Sequence, residues 1–135
     1  MRFSTKSRYA LRLMLDLAAK DDDGYVSLRD ISARQGISVK YLEQIVVQLT
    51  RAGLLKSSRG WQGGYKLARG ASQYTPGDVI RAIEGKLAMV ACLEDDSNAC
   101  PRADSCPTLC FWSGLTRTLN DYLDGTTLKE MTRQH

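Results

Sequence analysis

One glycine between two short amphipathic segments constrains this chain more than any other feature. In "SLRDISARQGISVKYLEQIVVQLTRAG", residues 27 to 53, Ser27 stands where a helix N-cap is expected, with Asp30 three residues on, a variant of the capping-box pattern. The helix it opens runs to Gln35, and Gly36 supplies the turn. Ser38 then caps a second helix, in which Leu42, Ile45, Val46 and Leu49 fall on one face and Lys40, Gln44, Gln48 and Arg51 on the other. Two short helices therefore flank a tight turn, and the second turns a polar face outward.

A hairpin comes next in the chain. "LLKSSRGWQGGYKLAR" reads as two short strands, "LLKSS" and "YKLAR", joined by a glycine-rich tip bearing Arg59, Trp61 and Gln62. For Trp61 both packing within the wing and ligand contact stand open, whereas packing is the preferred reading for Tyr65. A nucleotide phosphate loop is not supported, because "GWQGGYK" lies between strands and lacks the Walker spacing. Residues 38 to 69 carry Lys40, Arg51, Lys56, Arg59, Lys66 and Arg69 against Glu43 alone, within a net charge of only +4. The region is built to meet anions.

Helix, turn, polar helix and basic wing make a winged helix-turn-helix, whose second helix enters the major groove of double-stranded DNA while the wing reaches phosphate or the minor groove. Lys40, Tyr41, Glu43 and Gln44 supply the donors and acceptors that base edges require: Gln pairs with adenine, Glu accepts from cytosine, Lys reaches guanine. Arg59 at the tip suits a groove or phosphate contact, and Gly60, Gly63 and Gly64 allow close backbone approach. Arg2 and Lys6 add N-terminal phosphate contacts. The bland alternative is that this polar face is simply solvated. Three partly independent signals, the helix pair, the glycine tip and the local charge, weigh against it.

Elsewhere, Arg8, Arg12, Asp16 and Lys20 recur every four residues in an amphipathic helix over residues 7 to 20, broken by "DDDGYV". "TPGDVIRAIEG" is a further helix, with Thr75 as cap, Pro76 first, Asp78 third and Gly85 as stop. Pro107 suits the first turn of a final helix in which Trp112, Leu115, Leu119 and Tyr122 repeat at helix-pairing intervals, ending at "DG". The expected fold is mainly α with a small β-hairpin. It divides into a winged helix-turn-helix domain over residues 1–85, a cysteine-bearing loop over 86–110, and a long dimerisation helix with C-terminal tail over 111–135. With 135 residues, two large domains are not expected. No apolar run approaches the roughly 18 residues that span a bilayer, and the N-terminus has no signal-peptide core, so a cytoplasmic, reducing setting without membrane partners is expected.

All four cysteines lie in nineteen positions, "CLEDDSNACPRADSCPTLC", residues 92 to 110. Their spacing, C-x7-C-x5-C-x3-C, lacks the paired C-x2-C knuckles of common zinc sites, which weakens zinc without excluding it. A flexible loop with widely spaced thiolates wraps an iron–sulfur cluster more easily than it forms a knuckle. Glu94, Asp95 and Asp96 should raise neighbouring thiol pKa values, and Arg102 opposes them; the acidic run otherwise reads as a solvated loop.

"MRFSTKSRYALRLMLDLA", "ISVKYLEQIVVQLTRAGLLKSSRG" and "GGYKLAR" resemble the signature segments of the IscR/NsrR-type winged-helix transcription regulators, the Rrf-two family. The resemblance covers most of the chain. It implies a homodimer on a pseudo-palindromic operator, with Ser38, Lys40, Tyr41, Glu43, Gln44 and Arg59 matching the family's DNA-contacting positions. Trp61-Gln62 departs from the Pro-Gly type pair common at the family's wing tip. The resemblance further implies that Cys92, Cys100 and Cys106 match the three cluster-binding cysteines, as ligands of a 2Fe-2S or 4Fe-4S cluster, although the first gap is longer than the usual x5. The histidine that IscR-like members carry three residues past the third cysteine is replaced by Leu109, and the only histidine is the terminal His135. The aspartate that NsrR-like members use near the start of the first helix is replaced by Arg8. Cys110 then stands as replacement ligand or as a small residue in the dimer core, and an open iron site is a third option.

The expectation is thus a dimeric regulator whose operator affinity follows a cluster that senses redox state, nitric oxide or iron–sulfur status. Its rival keeps the DNA-binding fold and makes the cysteines a cluster-free redox or partner-protein sensor. A cysteine-nucleophile enzyme comes last, since a thiol needs a base beside it and His135 is the lone histidine.

Overall fold

The computed structural model describes residues 2–20, 24–61, 63–95, 97–98 and 100–134. Asp21 to Asp23 in the expected helix break, Gln62 at the wing tip, Asp96 in the acidic run and His135 lie outside the described residues.

Among the described residues six α-helices and a two-stranded antiparallel sheet follow in the order α1 (Thr5–Ala19), α2 (Leu28–Gln35), α3 (Val39–Arg51), β1 (Leu55–Ser58), β2 (Gly64–Leu67), α4 (Pro76–Glu84), α5 (Leu109–Asp124) and α6 (Leu128–Met131). The caps fall where the side chains dictate. Ser27 and Ser38 hydroxyls accept the backbone N–H of Asp30 and Tyr41, each at 3.2 Å. Such a cap contributes about 1 kcal/mol by satisfying a donor that the helix leaves orphaned. Thr75 and Asp78 form a full capping box, with Pro76 at the first position of α4. Gly36 closes α2 in the left-handed region at φ 67°, which fixes the angle between α2 and α3.

The first helix begins two residues earlier than expected, at Thr5, because the Ser4 hydroxyl accepts the N–H of Ser7 at 3.0 Å. Its Ala10, Leu13, Met14 and Leu17 are buried against Leu42, Ile45, Val46 and Leu49 of α3, with Ile31 and Val79 completing the core. Asp16, on the rim of that core, accepts a bidentate pair of hydrogen bonds from Arg34 at 2.8 and 3.0 Å and another from Gln35 at 2.9 Å, tying α1 to α2. The Tyr74 ring is fully buried; its hydroxyl donates to Leu54 O and accepts from Arg69 N, both at 2.9 Å, which pins the two ends of the hairpin together.

Two features of the C-terminal region differ from expectation. Pro107 does not sit in the first turn of α5: that helix starts at Leu109 behind Thr108, whose side chain makes no cap bond. Residues 125 to 134 are not a loose tail. Thr127 caps α6, Leu128 is completely buried in the core, and its N–H donates to Tyr74 O at 2.9 Å. The chain therefore returns from α5 to the helix-turn-helix.

Candidate functional site

The outward face of α3 is organised by helical spacing. Lys40, Glu43, Gln44 and Val47 lie at intervals of three, four and seven from Lys40, so they share one stripe, and all four are exposed. Val47, 47% exposed, is a residue that polarity alone misses; its place on the stripe could have revealed it. Tyr41 is different. It is half-buried, with its ring edge-on to Tyr9 at 5.5 Å, and so packs α3 against α1. Ser38 is exposed, and while its oxygen accepts from Tyr41 N, its proton remains free to donate outward.

Behind this helix the N-terminus is tied down. Glu84, at the end of α4, accepts hydrogen bonds from Ser4 Oγ at 2.5 Å, Ser7 Oγ at 2.7 Å and Ser4 N at 3.3 Å. Those donors, Ser4 first, hold its carboxyl below the usual range. Arg2 is exposed and Lys6 half-buried on this anchored arm.

The wing pairs Leu55 with Leu67 through Ser58 with Gly64, and a reciprocal pair of 2.8 Å bonds between Val26 and Tyr65 adds a bridge on its other side. Gly64 is required there: at φ 154° its Cα lies so close to the backbone of Val26 that a Cβ would collide with it. Packing within the fold alone therefore demands glycine at this position. Gly63 likewise leaves no room for a Cβ beside the Ser58 carbonyl, and its N–H donates to Gly60 O at 3.0 Å, closing the tip. Tyr65 packs against the core, as its sequence position predicts. Trp61 does not pack: it is 93% exposed, beside exposed Arg59 and Gly60.

The cysteine segment hangs between two anchor points on α5. At one end Asn120 Nδ2 donates to Leu87 O at 3.2 Å, and Met89 N donates to Thr116 Oγ1 at 3.2 Å. At the other, the chain enters α5 itself. Between them Cys92 lies half-buried in a single 3-10 turn, Ala91–Leu93, and Cys100 is exposed, its N–H donating to Asn98 Oδ1 at 3.2 Å. Cys106 is half-buried ahead of the helix, with Sγ 3.4 Å from Thr108 Oγ1, and Cys110 is exposed in the first turn of α5. Cys106 therefore lies outside the helix that carries Cys110. The Thr108 hydroxyl, then backbone N–H groups of Thr108 and Leu109 and the charge of Arg102, hold the Cys106 thiol below its ordinary pKa.

All four cysteines are free thiols, and among the described residues no three Cys, His, Asp or Glu side chains are gathered into a metal-binding group. The donor chemistry nonetheless fits an iron–sulfur centre, whose iron takes thiolates. The described residues also contain no helix long and apolar enough to cross a membrane.

The chain matches the Rrf2 family, described as "Iron-dependent Transcriptional regulator", over residues 3–134. It is 40% identical over 131 residues to the HTH-type transcriptional regulator IscR of Klebsiella pneumoniae, covering 97% of this chain and 79% of that one. Its fold superposes on CymR, the global cysteine regulator of B. subtilis, with a TM-score of 0.81 and 38% identity, over 100% of this chain and 98% of that chain. IscR of T. potens gives 0.78 at 38% identity, over 98% and 87% respectively. An exposed helical stripe on a capped helix-turn-helix, a basic wing and these relatives, which are regulators and not enzymes, lead to one conclusion: the chain belongs to the Rrf2 family of DNA-binding transcription regulators.

Proposed function

We propose that the protein is a cytoplasmic, homodimeric regulator whose grip on its operator is set by the 92 to 110 segment, which holds an iron–sulfur cluster through Cys92, Cys100, Cys106 and Cys110. The observation that carries this reading is the placement of every cysteine of the chain, all unpaired, between two points at which the chain is pinned to α5. A bound cluster supplies an oxidisable, nitrosylatable centre at that place. The protein's own residues do the rest. Met89 and Leu87 fix where the loop leaves the fold, Thr108 favours the Cys106 thiolate, and α5 relays the state of the loop to α4.

On the DNA side, Lys40, Glu43 and Gln44 read base edges in the major groove and Val47 meets a thymine methyl. Ser38, Arg59, Arg2 and Lys6 position the duplex through its phosphates, and Gly60 and Gly63 let the wing backbone come close. Tyr41 holds α3 against Tyr9, and its hydroxyl adds a contact to the duplex. Dimerisation follows from α5. This 16-residue helix buries none of its residues in the single chain, and it leaves Phe111 64%, Leu115 37% and Tyr122 78% exposed, so a second copy covers that stripe. A two-fold dimer places its half-sites about one helical turn, ~34 to 36 Å, apart. A coupling of about 1 to 3 kcal/mol between loop and operator would change affinity roughly 5- to 150-fold.

A second reading, a cluster-free thiol sensor, is favoured by one observation: the depressed Cys106 thiol in a loop whose cysteines are not gathered. The likeness to a protein described as a cysteine regulator supports it as well. Purification without oxygen decides between them. Near-stoichiometric iron and sulfide, lost in Cys92→Ala, Cys100→Ala, Cys106→Ala and Cys110→Ala, together with operator affinity that changes when iron is removed, supports the cluster. A colourless protein whose DNA binding responds only to thiol oxidation supports the rival.

A further inference from the structure

We infer that Trp61 is a specificity-determining residue that seats its indole in the DNA minor groove beside the half-site. This inference rests on the DNA-binding reading of the wing.

The indole is the most exposed large apolar side chain of the described residues, at 93%, yet the hairpin that carries it is tied by hydrogen bonds. The Gly60 to Gly63 hydrogen bond closes the turn beneath it, the four-pair ladder fixes the strands, and Val26 braces β2 through two 2.8 Å bonds. A side chain displayed this way on a braced turn gains little within its own chain. The surroundings name the occupant. From Leu55 to Arg69 the wing carries Lys56, Arg59, Lys66 and Arg69 and no acidic residue, so its electrostatic complement is a polyanion.

The chemistry of the ring then selects the groove. Minor-groove walls are deoxyribose C–H surface, which suits an indole face, and the floor of A·T pairs offers only acceptors, adenine N3 and thymine O2, to the indole N–H. A G·C pair places the guanine N2 amino donor in the same floor, where it opposes the indole N–H and fills the space. Trp61 therefore favours A·T over G·C at the pairs under the wing tip, outside the bases read by α3. Arg59, two residues before Trp61, also presents only donors and is itself drawn to A·T minor grooves, so the preference is assigned to Trp61 by the substitution that removes the indole alone.

The test uses the full-length chain and a duplex enriched by the wild-type protein from a randomised library. The pairs under the wing are set in turn to A·T, G·C and inosine·C, since inosine lacks only the N2 amino group. We expect A·T and inosine·C to bind alike and G·C about tenfold more weakly, the loss that corresponds to the burial of one aromatic ring. Trp61→Ala should erase that difference, weaken A·T binding about tenfold, and leave both the melting temperature and the salt slope unchanged. Arg59→Ala should instead lower the salt slope by about one. The emission difference between wild type and Trp61→Phe isolates the Trp61 indole, which should become shielded from iodide in the complex. If Trp61→Ala binds all three duplexes as the wild type does, or iodide reaches the indole equally well in free and bound protein, the inference is wrong. If the wild type enriches no duplex at all, the DNA-binding reading fails, and this inference fails with it.

Discussion

Arg81 on α4 grips Asp124 at the end of α5 through two nearly parallel hydrogen bonds, Nη1 to Oδ1 at 2.9 Å and Nη2 to Oδ2 at 2.7 Å. The same guanidinium donates to Asn120 Oδ1 at 2.8 Å, and the Asn120 amide in turn holds Leu87 O. Thr75, the cap of α4, donates to Asp124 as well, at 3.0 Å. One carboxylate and one amide thus join the helix that leads out of the wing domain, the helix offered for dimerisation, and the segment that enters the cysteine loop. A planar, bidentate guanidinium is suited to this: it fixes orientation as well as distance.

Arg81→Met should therefore separate stability from coupling. The pair is partly exposed, so its loss costs no more than about 1 kcal/mol in a urea titration. The position of residues 87 to 89 on α5 depends on Asn120, which loses its Arg81 donor. Amide hydrogen exchange of residues 87 to 89 should rise, and the dependence of operator affinity on iron or thiol state should shrink. Unchanged dependence would show that the loop signals by another route.

Acid should loosen the Arg81–Asp124 contact and two others like it. Burial alone pushes the Asp16 carboxyl up, but hydrogen bonds from Arg34 and Gln35 outweigh it, and the net result lies below the usual carboxylate range. Arg81 depresses Asp124, and Ser4 and Ser7 depress Glu84. A depressed folded-state pKa means that the unfolded chain binds protons first as pH falls. The stabilisation is full above the ordinary carboxylate pKa and is lost progressively as pH drops from there through the folded-state values. Urea midpoints should hold steady from neutral pH down to that range and then fall. In Asp16→Asn the fall should be shallower, because one of the three titrating groups is gone.

Leu128→Ala should be more damaging than either of these substitutions. The side chain is fully buried between α1 and the Tyr74 region, and removing a leucine from such a site costs about 2 to 5 kcal/mol, according to how far the cavity collapses. Both the thermal midpoint and the protection of α1 amides should drop. A change confined to residues 125 to 134 would mean that α6 merely rests on the surface.

Leu128 also marks the limit of what local sequence signals convey. Capping hydroxyls at Ser27, Ser38 and Thr75, stops at Gly36 and Gly85, and the glycine tip of the wing are local signals, and each produced the expected element within a residue or two. The return of the chain is not local in its energetics. It depends on a core slot made by α1 and Tyr74, although "TLKE" carried a readable trace: Thr127 Oγ1 accepts Glu130 N and donates to Glu130 Oε1, both at 3.1 Å, a side-chain pairing of the capping-box type. At the start of α5, proline propensity pointed two residues too early, since the helix begins at Leu109, and Cys106 lies outside it. On the exposed stripe of α3, polarity points to Lys40, Glu43 and Gln44, but the exposure of Val47 needed the helical angle, and that of Trp61 needed the fold.

On the α3 stripe, direct readout and phosphate attraction can be pulled apart. Lys6 and Arg2 lie on the arm anchored by Glu84, so replacing either with alanine should weaken binding to all sequences alike and lower the salt slope by about one for each phosphate no longer neutralised. Gln44→Ala should leave the slope intact while costing about 1 to 3 kcal/mol on the preferred duplex and relaxing choice at one base pair. Val47 has no hydrogen-bonding group in its side chain, so its contribution is visible only through the thymine methyl. Replacing thymine with deoxyuridine at successive half-site positions should weaken wild-type binding at one position and leave Val47→Ser indifferent there. If every deoxyuridine substitution affects both proteins equally, the exposed valine does not read sequence, and the stripe is polar in function as well as in composition.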